Sequence, residues 1–183
     1  MALNQVPQTA ALFTITLFFL ALAPTSLQAT KYKHKDLKET SMVFYIHDYT
    51  GRNSTTAPIA GVKKPFQVLD FGTALAVDDK LTEALDWNSP EVGRARGIYV
   101  NSALDGTDLH FMMSIVFTNK KYNGSTLEIQ GSDRYTLKYR EISVVSGTGQ
   151  FRFAKGFVVL ETVNYDAPNM NAIIRGNLTV LHY

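Results

Sequence analysis

From about residue 42 onward the chain alternates between short apolar runs and polar punctuation. The runs are rich in β-branched and aromatic residues, and the breaks are rich in Gly, Asn, Asp, Ser and Thr. No long segment keeps apolar residues at three- and four-residue spacing, so a period of two governs the reading. Residues 42–48 (MVFYIHD) predict the first strand, built from residue types that suit a pleated surface. Residues 49–57 are polar around Gly51 and predict a loop. Residues 66–79 predict one or two strands, and 81–91, with Asn88-Ser89-Pro90, a long connection. Residues 93–103 and 109–118 predict a pair joined near Asp105-Gly106. Tyr122-Asn123-Gly124-Ser125 predicts a hairpin, because Asn-Gly accepts the positive φ angles of a tight turn. Strands over 126–130, 135–145, 151–163 and 172–183, with a turn at Gly147-Thr148-Gly149, bring the total to eight or nine. So many short strands at close spacing predict an all-β antiparallel barrel or sandwich.

The last strand fixes the inward face most clearly. Ile174, Gly176, Leu178, Val180 and His182 fall on one side, and Arg175, Asn177 and Thr179 on the other, so the first set is assigned to the core. Phe157-Val158-Val159-Leu160 is apolar on both faces, which calls for cover outside as well as inside, as at a subunit interface.

The N-terminus adds an address. Residues 10–23 (AALFTITLFFLALA) are apolar and uncharged, and Ser26-Leu27-Gln28-Ala29 follows. This predicts a secretory signal peptide over 1–29, cleaved after Ala29, and one domain over 30–183. The run is shorter than the roughly 20 residues of a membrane span, so no membrane attachment is expected after cleavage. Export makes three sequons candidate glycosylation sites: Asn53 and Asn123 in loop-like contexts, and Asn177 in a strand-like run. The chain has no cysteine, which excludes a disulfide framework, a thiol nucleophile and a thiolate metal site. A net charge of +2 with one basic stretch, Lys31-Tyr32-Lys33-His34-Lys35, does not make a nucleic-acid surface.

Familiar catalytic motifs are missing. His34, His47, His110 and His182 show no zinc-type spacing, so no metal is expected. Gly147-Thr148-Gly149 lacks the downstream Gly-Lys-Ser/Thr of a phosphate loop, and there is no G-x-S-x-G elbow. What stands out is charge inside strand-like runs. Asp48 shares a face with Phe44 and Ile46, so an inward Asp48 enters an apolar space where burial raises its pKa. Asp133 and Arg140 bracket another strand region, and Tyr99 lies in Gly97-Ile98-Tyr99-Val100. The plainer alternative for each is an exposed strand-end charge or a surface pair.

At these residues the chain resembles the plant dirigent family. The matching segments, in family order, are Val43-Phe44-Tyr45-Ile46-His47-Asp48; Phe71-Gly72-Thr73 with Val77-Asp78-Asp79-Lys80-Leu81-Thr82; Val92-Gly93-Arg94-Ala95-Arg96-Gly97-Ile98-Tyr99; Tyr122 to Leu127; and Arg140 to Phe151 running on to Ala154-Lys155-Gly156. The resemblance implies an eight-stranded antiparallel β-barrel of the dirigent and allene-oxide-cyclase type, usually a homotrimer, secreted to the apoplast. It implies no cofactor and no redox activity of its own. In the family an external oxidase, a laccase or peroxidase, supplies phenoxy radicals from monolignols such as coniferyl alcohol. The protein then holds the phenolic intermediates so that coupling gives one enantiomer. Related members act as isoflavanol dehydratases (pterocarpan synthases), and others direct the coupling that forms gossypol; a quinone methide is common to all. The family's acids fall on Asp48 and Asp133, its cavity arginine on Arg140 and its cavity tyrosine on Tyr99, with Phe44 and Ile46 beside them as substrate-binding residues. A cysteine pair common in lignan-forming members is absent, and Lys80 stands where Pro is common. The wording follows the broad non-lignan branch. The leading expectation is therefore a guide of phenoxy coupling or quinone methide cyclisation. The alternatives are an isoflavanol dehydratase, and a secreted glycan-binding or defence barrel.

Overall fold

A computed structural model describes residues 37–51, 53–61, 67 and 69–183; the expected 1–29 signal peptide lies outside the described residues. Among the described residues nine strands form: β1 (Lys38–Tyr49), β2 (Thr56–Ala60), β3 (Ala74–Thr82), β4 (Glu91–Asn101), β5 (Leu109–Phe117), β6 (Thr126–Asp133), β7 (Arg140–Gly147), β8 (Lys155–Asp166) and β9 (Asn171–His182). They hydrogen-bond in the order β1-β9-β8-β7-β6-β5-β4-β3-β2, every pair antiparallel, and β1 also pairs with β3. That last pairing closes eight strands into a barrel and leaves β2 as a short flap. The edge of β3 is divided: Ala74 to Val77 pair with β2, while Lys80, Leu81 and Thr82 pair with His47, Ile46 and Tyr45 of β1. Closure removes the unpaired edges that an open sheet would expose.

The alternation read from the sequence holds. Ile174, Leu178, Val180 and His182 are buried, while Arg175 and Asn177 are exposed. Val158 and Leu160 point in, and Phe157 stands outside, 39% exposed. An eight-stranded barrel is just wide enough for side chains to fill. Here they fill one end. Phe117, Tyr122, Phe151 and His182 stack there with neighbouring ring centroids 4.9–5.4 Å apart, and Phe151 is fully buried. Above them Phe44 faces its register partner Gly176, where a Cβ would come within 2.6 Å of the ring.

Several boundaries differ from the sequence reading. Within 66–79 the described residues hold the first part of β3, from Ala74, which runs on to Thr82 into what read as a connection. Residues 135–139, taken as the start of the strand over 135–145, lie in the loop between β6 and β7. β2 falls partly in the predicted loop, because TAPIA is short and mostly exposed, and carries no alternation to read. β5 and β6 are joined by 118–125, longer than a tight hairpin, and within Asn123-Gly124 only Gly124 takes a positive φ (78°). The Tyr122 carbonyl accepts from the Ser125 N–H across that turn, at 2.9 Å.

Candidate functional site

The end opposite the aromatic plug is open, where β1, β4, β6 and β8 finish and β3, β5, β7 and β9 begin. A cavity of about 290 Å³ enters the barrel there. Ordinary small-molecule sites begin near this size. Its apolar lining comes from Phe111, Met113 and Ile115 on β5, Ile129 on β6 and, across the barrel, Ile174 on β9. The rest carries ionisable groups, and period-two geometry puts each there. Asp48 follows the buried Phe44 and Ile46 on β1; Asp133 follows Leu127 and Ile129 on β6; Arg140 precedes Ile142 and Val144 on β7.

Asp133 and Arg140 close one hairpin and form a buried ion pair, Nε to Oδ1 2.7 Å, with both side chains 2% exposed. Arg140 Nη1 also donates to Thr162 Oγ1 on β8, at 3.1 Å. Burial pushes Asp133 above the usual carboxylate range, by more than the guanidinium draws it down. Among the described residues no such cation is paired with Asp48. The residue is half-buried, reached through the cavity, but its Oδ1 is enclosed and has no hydrogen-bond partner. Burial, and then the charge on Asp133, pushes its pKa up to about 6. In the ring of eight strands β1 and β6 lie four apart, so the Asp48 acid and the Asp133–Arg140 pair occupy opposing walls. Tyr99 on β4 is 3% exposed, hydrogen-bonds Thr50, and has its phenol pushed up by burial and by Asp48 and Asp79.

The structure thus brings Asp48, Asp133, Arg140, Tyr99 and Ile46 to one cavity. Phe44 is not among its lining residues: at 1% exposure it packs into the core over Gly176 instead. Asn53 and Asn123 are exposed in loops, and Asn177 is exposed on the outer face of β9. Sequence reasoning missed Asp79, a third cavity carboxylate, 3% exposed and accepting from Thr55 Oγ1 at 2.5 Å. The signal was available. Leu75, Val77 and Leu81 share an inward face on β3, and Asp79 occupies the same period. Its neighbour Asp78, which points outward, binds Arg94 at 2.7 Å and Arg96 at 3.1 Å. Thr50, Tyr135 and Thr162 also line the cavity from positions no pattern singled out. Among the described residues, no group of three or more His, Asp or Glu is placed to hold a metal ion.

Enclosed acids facing a fixed cation across an apolar gap can protonate one end of a small molecule and stabilise negative charge at the other. The comparisons give this chemistry a context. Residues 39–181 match the family model described as dirigent-like protein. The chain is 33% identical over 171 residues to Dirigent protein 1 of Arabidopsis thaliana, covering 91% of this chain and 93% of that one. It is 33% identical over 184 residues to Pterocarpan synthase 1 of Glycyrrhiza echinata, covering 96% and 98%. The solved structure of a pterocarpan synthase dirigent protein matches with a TM-score of 0.76 at 34% identity, over 83% of this chain and 89% of that one.

Proposed function

The chain belongs to the dirigent family, and from that membership we propose that it is a lyase of the pterocarpan synthase type, acting on an isoflavanol. Family membership and fold support a stereo-directing role in phenolic coupling chemistry generally. The observation that carries the narrower reading is Asp48, an enclosed acid with an unpartnered Oδ1 and a pKa of about 6, facing the Asp133–Arg140 pair across the cavity. A radical guide needs only a chiral cavity; a dehydratase needs a proton donor.

In this reading Asp48 gives its proton to the benzylic hydroxyl of the substrate. The C–O bond breaks, its electron pair leaves with water, and a quinone methide remains as the conjugated phenol releases its proton to solvent, to recover it when the ring closes. Arg140 and Tyr99 hold the oxygen that gathers negative charge. An internal phenol oxygen then bonds to the electrophilic carbon, and its proton returns to the carboxylate. The balance is the loss of one water, and no oxidant is consumed. Orientation against the apolar wall selects the face of attack, and the acid adds roughly 10²–10⁴-fold.

The protein in this proposal is a secreted, glycosylated homotrimer. Exposed Val43, Phe157 and Leu181 on β1, β8 and β9 support an apolar outer wall that a second copy covers. The test is incubation with an isoflavanol and no oxidant, read by chiral chromatography. One enantiomer of the ring-closed product is expected, and its absence overturns the lyase reading. A parallel arm with coniferyl alcohol and a one-electron oxidant distinguishes the second reading. Enantiomeric excess there alone assigns a guide fed by an external oxidase.

A further inference from the structure

Asp79 has no part in the mechanism above, yet it is the most deeply buried carboxylate in the cavity apart from the ion-paired Asp133. Its place follows from the barrel seam. β1 and β3 pair as Tyr45↔Thr82, Ile46↔Leu81 and His47↔Lys80. Continuing that register by one residue sets Asp48 opposite Asp79, at the point where β1 turns away toward the flap strand β2. Side chains directly opposite across antiparallel strands have Cβ atoms about 4.5–5.5 Å apart, and like charges there repel. Both carboxyls face the same enclosed space, and among the described residues no cation is hydrogen-bonded to either.

We propose that Asp48 and Asp79 form a carboxyl pair that shares one proton at neutral pH, with Asp79 the keeper of that proton and Asp48 the member that meets the substrate. The proposal rests on the lyase reading for its consequence and on the seam geometry for its substance. Two acids in one low-dielectric site cannot both ionise, so one holds its proton far above the usual range. Asp79 suits that part. It is the deeper of the two, and burial followed by the charge on Asp48 pushes it well above an ordinary carboxyl, against the Thr55 hydrogen bond and Arg94, which draw it down. Among the described residues the other titratable or charged groups on the cavity are Tyr99 from β4, Asp133 from β6, Tyr135 from the loop between β6 and β7, Arg140 from β7 and Tyr165 from β8, with Asp78 and Arg94 outside the wall. Arg140, the cation among these that lies inside the barrel, is already engaged with Asp133 and Thr162. Asp79 is thus a positioning residue: it keeps an acid available at Asp48 above the pH at which a lone Asp48 would be spent.

The direct test needs no substrate. Infrared difference spectroscopy of the intact protein at pH 7 reads protonated carboxyl groups by their C=O stretch. A band is expected that is lost in Asp79→Asn and shifted in Thr55→Val, which removes the donor to Asp79 without touching a carboxyl. No protonated-carboxyl band at pH 7, or a band unmoved by both variants, overturns the proposal, whatever becomes of the lyase assay. If Asp79→Asn fails to fold, the Thr55→Val shift decides alone. Where turnover is measurable, Asp79→Asn should lose severalfold at pH 7 and recover by pH 5, because the shared proton that supplies Asp48 at neutral pH is gone while in acid Asp48 holds its own. A loss of equal size at every pH, or no loss, overturns it.

Discussion

Replacing Asp48 with Asn should make the protein more stable at neutral pH while removing its activity. The argument is one of linkage. In the folded protein the Asp48 carboxyl holds its proton up to about pH 6, against 3.8 for the free group. Between those values the unfolded chain ionises first and is favoured, so wild-type stability is lost as pH rises from 3.8 to about 6 and stays lost above it. A shift of about two pKa units at ~1.4 kcal/mol each makes the loss about 3 kcal/mol. The asparagine of Asp48→Asn has a similar shape and is neutral at every pH, so the variant does not suffer it. Its amide, like the protonated acid, is a buried neutral polar group, so the two proteins should melt together near pH 4. By pH 7 the variant should melt higher by roughly 6–12 °C, at ~2–4 °C per kcal/mol for a domain of this size. The assay is paired thermal melts from pH 4 to pH 8, with turnover or enantiomeric excess measured alongside. A gap that does not grow with pH refutes the reasoning. So does a variant less stable than wild type at pH 7, which would mean that the native state favours the carboxylate. Stability gained where activity is lost marks a functional group held at a cost to the fold.

Arg140→Ala should destabilise the fold by about 3–5 kcal/mol, because it strands a buried Asp133. The deficit should shrink in acid as Asp133 takes a proton, and denaturant midpoints at pH 7 and pH 4 check it. Ile174→Phe places added volume in the cavity from its apolar wall. Turnover should collapse while the melting temperature holds or rises, and a simple loss of fold would count against the cavity as the site. His47 points outward yet is fully buried under Trp87, with ring centroids 5.2 Å apart. Thr82 Oγ1 donates to Ala84 O and therefore accepts from His47 Nε2, which carries a proton. Burial, aided by the Lys80 charge, lowers the His47 pKa, so stability from this site is complete above about pH 6.5 and is lost as pH falls through the folded value. The stability difference between His47→Gln and wild type should therefore narrow below pH 6.5; a difference independent of pH would show that folding leaves the ring's pKa unshifted, and one that widens in acid that the fold favours the charged ring.

Much of the site could be read in the chain because strand geometry is a period-two rule. Once Phe44 and Ile46 are core, Asp48 must look into the barrel, and the same rule carries Arg140 inward beside Ile142 and Val144. The rule also contained Asp79, between Val77 and Leu81, at the charged end of the strand read over 66–79. Phe44 shows the limit in the other direction. Pattern puts it inside, but whether an inward residue lines a cavity or fills the core depends on what faces it, and Gly176 lets its ring lie across the barrel. Residues 135–139 read as strand because Tyr135, Leu137 and Tyr139 alternate, and only the pairing of Asp133 with Arg140 shows the chain turning there.

By itself the sequence determined the all-β class, the face each strand turns to the core, the absence of thiol chemistry and the family resemblance, since each of these depends on residue type and local spacing. Tertiary structure decided the rest. Closure of β1 onto β3, the open and plugged ends, the opposition of Asp48 to the Asp133–Arg140 pair and the meeting of Asp48 with Asp79 all join residues far apart in the chain. The pKa values belong to that second group as well. A carboxyl's ionisation depends on the water and charge around it in three dimensions, and only the closed barrel takes the water away.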